Sequence, residues 1–169
     1  MIRNRRKFLF RLGLTILFMA AIFVQSGMPY RVQDTKPLLR KEFSLSADSL
    51  PKLRIPYGES VVSSARPYDF LDFLIRKLGH VTEYFLLTAL WLWTLSQTAL
   101  RTGVRCLLSV LLALAYAGTD EWHQLYVPQR TGHPVDVFVP DLAGMLLAVT
   151  VYGLRRMLLR LPKPRAKKA

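Results

Sequence analysis

Four apolar runs constrain this chain more than any other feature: Phe8 to Val24, Leu78 to Gln97, Val104 to Val127, and Asp136 to Arg155. Each is long enough to cross the hydrocarbon core of a bilayer as a helix, at 1.5 Å per residue. A soluble domain of 169 residues would not carry four such runs. Several carboxylates sit inside or beside them: Glu83, Asp120, Glu121, Asp136 and Asp141. An acid in a bilayer is costly and needs a partner or a water-filled cleft.

Charge follows the runs. The net charge is +13, and basic residues flank the apolar stretches. That arrangement fits a membrane and argues against nucleic acid as a partner. Three histidines and one cysteine, Cys106, are too few for a zinc finger or an intramolecular disulfide. No internal repeat, low-complexity tract or glycine-rich phosphate loop occurs. Serines make poor nucleophile candidates, since Ser96 and Ser109 fall toward the wrong end and Ser63 and Ser64 have no evident base.

The chain divides into four parts. Residues 1–24 form a basic head and the first span. A secretory signal cleaved before Gly27 would have a similar head, but the apolar run is longer than most signal cores, which favours an uncleaved span with Arg11 snorkelling to its basic end. Residues 25–75 hold five of the ten prolines and read as a polar extracytoplasmic loop, with a short interfacial helix near Pro67 to Ile75. Residues 76–155 supply the three remaining spans, in which Trp91 and Trp93 are expected to pack against neighbours and Trp122 and Tyr126 to sit in an interfacial belt. Residues 156–169 form a basic tail. The fold class expected is all-α: an integral-membrane four-helix bundle with a long loop between spans one and two.

With both ends cytoplasmic, the inner segments carry Arg3, Arg5, Arg6, Lys7, Arg11, Arg101, Arg105 and the basic residues from Arg155 to Lys168, and no acid. The positive-inside rule therefore orients the chain. Its expected location is a membrane crossed four times.

This topology places the ionisable groups together. Glu83 lies about 10 Å down a helix from Arg76 and Lys77, and Asp120 and Glu121 lie about 10 Å in from Val127. Asp141 follows Asp136 by about 7 Å. Arg76, His80, Glu83 and Tyr84 share one helical stripe, and Asp120, His123 and Gln124 share another with Glu121 on its flank. Gly144, beside Asp141, lets the fourth span approach its neighbours closely. Arg130 can hold a carboxylate or a lipid phosphate. His80 and Glu83 can serve as an inter-helix polar clamp, as proton-handling groups or as metal ligands; His-x-x-Glu facing other acids loosely matches carboxylate metal sites in bundles. His133 falls in a loop and reads as exposed.

The segments RKLGHVTEY (Arg76 to Tyr84), TDEWHQLYVPQRTGHPVD (Thr119 to Asp136) and DLAG (Asp141 to Gly144), in that order, resemble the VanZ-like family over about residues 76–152. The family is named for a membrane protein accessory to glycopeptide resistance and associated with teicoplanin. The resemblance implies a cell-envelope protein of the bacterial inner membrane with a site at the matching positions: Arg76, Lys77, His80, Glu83, Tyr84, Asp120, Glu121, Gln124, Arg130, Asp136, Asp141 and Gly144. Among them, His80, Glu83, Asp120 and Glu121 are the candidates for chemistry, and Arg76, Lys77, Tyr84, Gln124, Arg130, Asp136 and Asp141 for ligand binding. It names no reaction, metal or cofactor. The partners expected are membrane lipid and a lipid-linked envelope precursor or glycopeptide. Two other readings stand beside this one: an intramembrane enzyme acting on an envelope lipid, and a small proton-linked transporter.

Overall fold

A computed structural model describes residues 2–58, 60–128, 132 and 134–159. The basic tail beyond Leu159 and the loop residues Arg130 and His133 lie outside the described residues.

The chain is mostly helical. Helix α1 (Arg5–Ser26) starts at Asn4, whose side chain accepts the Lys7 amide at 2.9 Å and satisfies one open N–H of the first turn. Two short helices follow, α2 (Tyr30–Gln33) and α3 (Lys36–Glu42). Then α4 (Pro67–Leu95) and α5 (Thr102–Gln124) form a long antiparallel pair. The last helical segment begins as α6 (Pro134–Asp136), widens to a π-helical turn at Val137–Asp141, and continues as α7 (Leu142–Leu158). Pro140 explains the widening: it has no N–H to donate and its ring crowds the preceding carbonyls, so the turn opens to a longer-range bond from the Leu142 amide to Val137 O.

Three helical segments are long and apolar enough to cross a membrane: Arg5–Ser26, Thr102–Gln124 and Pro134–Leu158. Helix α4 is the longest of all, but Gly79, His80, Thr82 and Glu83 dilute its apolar run. It is nonetheless the central helix, packed by α1, α5 and α7. The core between them holds Ile22, Tyr84, Leu87, Ala113, Ala117, Val137 and Met145. Ala113 and Ala117 are fully buried, and small residues of this kind let helix backbones approach. Gly144 makes the closest approach: a Cβ there would lie 2.2 Å from Val81 O of α4. The outward faces are apolar, with Phe10, Leu17, Leu107, Leu111, Leu147 and Leu154 all exposed. In water this would be an unstable surface; in lipid it is the expected one.

Three expectations are corrected. The chain is not purely α-helical: Arg54–Tyr57 (β1) and Ser60–Ser63 (β2) pair antiparallel, with Arg54 opposite Ser63. Gly58 in their turn has φ 58°, the left-handed value that tight hairpin turns require. Residues 67–75 are not a separate interfacial helix but the first turns of α4, because Pro67 occupies the first helical position, where its missing N–H costs nothing. The segment from 25 onward is no bare loop: α1 runs to Ser26, and α2 and α3 follow.

At one end of the bundle the groups are basic and well anchored. Arg11 donates to Trp93 O at 2.8 Å and Ser96 Oγ at 2.7 Å, with its guanidinium 4.5 Å from the Trp93 ring. Arg105 donates to Leu100 O, and the Arg3 amide to Gln97 O. Trp91 packs against the core, whereas Trp93 is exposed apart from Arg11. Trp122 and Tyr126 are exposed and meet edge to face.

A candidate polar cleft at the far end of the bundle

The opposite end of α4 carries the acids. A cleft of about 450 Å³ opens between the end of α1, α2, α4, α5 and α6. Of the residues singled out from sequence, Arg76, Lys77, His80, Glu83, Asp120, Gln124 and Asp136 line it.

Each acid is held by a different group. Glu83 Oε1 accepts from Gln25 Nε2 at 2.6 Å. Asp120 accepts from Ser26 Oγ at 2.6 Å and from Gln124 Nε2 at 2.9 Å. Gln124 reaches Asp120 because four residues on one helix place them on one face. Asp136 pairs with Lys77 and accepts the Tyr57 hydroxyl of the hairpin. The Lys77 ammonium also sits 4.3 Å from the Tyr57 ring centroid, and Tyr57 meets Phe73 edge to face. Tyr57 thus ties the hairpin to both α4 and α6, and β2 packs on α4 beside it.

Arg76 faces the other way along α4. Its Nε lies 3.2 Å from Asp72 Oδ2, and its guanidinium lies 5.1 Å from the Tyr30 ring. Asp72 is the anchor for the segment after α1. It accepts the Thr35 amide at 3.0 Å, the Thr35 hydroxyl at 2.8 Å and the Tyr30 hydroxyl at 3.1 Å. Burial works against its charge, but the two Thr35 bonds, Arg76 and Tyr30 outweigh it and hold the carboxyl below its usual value.

Behind the cleft is a second group. His80 Nδ1 and Asp141 Oδ1 are 2.8 Å apart, and Asp141 is fully buried. Ligand atoms of His80, Glu121 and Asp141 all lie within 4.8 Å of one another. Glu121 and Asp141 do not line the cleft itself; His80 does. Asp141 arrives here because the π turn at Pro140 and the contact at Gly144 bring its helix against α4.

Some expected members stand elsewhere. Tyr84 is 1% exposed in the hydrophobic core and does not line the cleft, because its stripe turns inward one residue after Glu83. His123 does not join Asp120 and Gln124; its ring stacks on Phe23 at 4.0 Å. Conversely, Gln25, Ser26, Gln33 and Tyr57 contribute to the site and carried no signal beforehand. They are neutral polar residues without a helical or motif spacing. The only hint was their place, just past an apolar run and opposite unbalanced acids.

Chemically, the end of the bundle offers cations at its rim, acids held by neutral donors along its wall, and an imidazole–carboxylate pair behind. Comparison with known proteins gives one result: the sequence model of the VanZ/LLP1 family matches residues 10–156. Searches of curated proteins and of solved structures return no match.

Proposed function

This chain belongs to the VanZ/LLP1 family, and from that premise we propose a cell-envelope membrane protein whose cleft faces outward and binds a lipid-linked or amphipathic ligand. Four helices cross the bacterial inner membrane, α4 included, with both ends cytoplasmic. Helix α4 tolerates its polar residues because α1, α5 and α7 surround it. The basic end, with Arg11 and Arg105, is cytoplasmic by the positive-inside rule. The cleft then opens just under the outer headgroups.

One observation carries this reading: the cleft combines Arg76 and Lys77 with Glu83, Asp120 and Gln124 at the end of helices whose flanks are apolar. A phosphate or carboxylate of a headgroup meets the cations, its hydroxyl or amide groups meet the acids, and its chain stays in lipid. The consequence proposed is lowered susceptibility to a glycopeptide of the teicoplanin type. Expression in a sensitive host tests it. Wild-type protein raises the inhibitory concentration of teicoplanin, and Lys77→Ala and Asp120→Asn abolish the rise while still inserting. Unchanged susceptibility with correctly inserted wild-type protein refutes the reading.

The His80–Asp141 pair beside Glu121 favours a second reading, an intramembrane enzyme in which these groups with Glu83 and Asp120 handle protons on an envelope lipid. A lipid profile that is the same with wild-type protein and with Glu121→Gln sets it aside.

A further inference from the structure

We propose that His80, Glu121 and Asp141 bind one divalent metal ion, Zn²⁺ or Mn²⁺, behind the cleft. The three come from separate rigid elements, α4, α5 and the π turn, and their ligand atoms lie within 4.8 Å of one another. Two atoms bound to one zinc at about 2.1 Å can be no more than about 4.2 Å apart, so side-chain rotations of about 1 Å close the set. One imidazole nitrogen and two carboxylate oxygens suit zinc or manganese better than the all-oxygen shells of calcium and magnesium. Three protein ligands leave a position open for water or a ligand group, and His80 is the member that also borders the cleft.

A further observation points to an ion. Asp141 is fully buried, yet its Oδ2 has no hydrogen-bond partner among the described residues. A buried carboxylate oxygen facing nothing is costly unless a cation or proton meets it.

The proposal concerns a different set of atoms from the walls of the cleft and stands whether or not a headgroup binds there. Its test is metal content. The purified full-length protein in detergent is stripped with chelator, equilibrated with Zn²⁺ or Mn²⁺ at micromolar free concentration, and analysed for bound metal. The expected result is one ion per chain and a higher melting temperature. Asp141→Asn and Glu121→Gln weaken binding tenfold or more. Asp69→Asn, an acid paired with Lys36 on the surface, binds as wild type does. A wild-type chain that takes up no stoichiometric ion overturns the proposal without recourse to any variant. So do variants of the three ligands that keep wild-type helicity and wild-type metal affinity.

Discussion

Replacing Gly144 by alanine probes the packing on which the site depends. The new Cβ would lie 2.2 Å from Val81 O, 3.0 Å from Val81 C and 3.0 Å from Phe85 N. These are backbone atoms of α4, so no side-chain rotation relieves the clash. To regain an ordinary 3.4 Å contact, α7 must retreat from α4 by about 1.2 Å. Asp141 lies three residues earlier on the same helical segment, so its 2.8 Å contact with His80 opens toward about 4 Å, beyond hydrogen-bond range. Overpacking of this kind costs about 3 kcal/mol, and losing a bond to a charged group costs about 2 kcal/mol more. Alanine returns about 1 kcal/mol through its helix preference. The net loss, about 4 kcal/mol, corresponds to a fall of roughly 8–16 °C in melting temperature for a chain of this size. Helicity followed by circular dichroism on heating in detergent measures it. Gly153→Ala, on the same helix with nothing within 4 Å of the added Cβ, is the internal control and melts at or slightly above the wild-type temperature. Equal melting temperatures for Gly144→Ala and Gly153→Ala refute the close approach and the placement of Asp141 that depends on it.

Two other perturbations follow from the geometry. Asp72 ties Thr35 and Tyr30 to α4, and its carboxyl is held below the usual range. Its contribution is therefore complete at neutral pH, above the unfolded-chain value, and is lost as pH falls through the folded value. Hydrogen-exchange protection over residues 29–42, taken relative to the intrinsic rate at each pH, should fall on acidification in wild-type protein and be low at every pH in Asp72→Asn; a wild type whose protection is insensitive to acid would contradict this. Thr15→Val removes the 3.0 Å bond between Thr15 and Thr94 that joins α1 to α4. Hydrogen bonds between helices in lipid average about 0.6 kcal/mol, so the melting temperature should fall by only about 1–3 °C; a collapse of the fold would show that α1 depends on this bond far more than its geometry implies.

Much of this architecture is legible in the residues because lipid imposes a simple rule. Apolar runs give α1 and α5 to within a few residues at most ends, and an acid beside glycine in the last run anticipates the contact of Asp141 and Gly144 with α4. Acids at similar depth on three runs anticipate the gathering of His80, Glu83, Asp120 and Glu121 at one end. The losses have equally physical causes. Proline marks either the start or the interruption of a helix, so Pro67 reads as a boundary within the loop when it opens α4, and Pro140 gives no warning of a π turn. The hairpin is short and irregular, and its one turn signal, Gly58, stands among prolines. Gln25, Ser26 and Tyr57 act through single hydrogen bonds whose partners are distant in sequence, and no periodicity announces such bonds. Tyr84 is placed in the core by a rotation of about 100° from its neighbour, a difference that a stripe drawn by i+3 and i+4 steps cannot resolve.

The central claim is that the polar cleft opens on the outer side of the membrane. In a Cys106→Ser background, single cysteines at Met28, which lines the cleft, and at Thr98, beside the α4–α5 turn, can be challenged in intact spheroplasts with a membrane-impermeant maleimide. The account predicts rapid labelling of Met28→Cys in intact spheroplasts and labelling of Thr98→Cys only after permeabilisation. Labelling of Thr98→Cys from outside, with Met28→Cys protected until lysis, would contradict it.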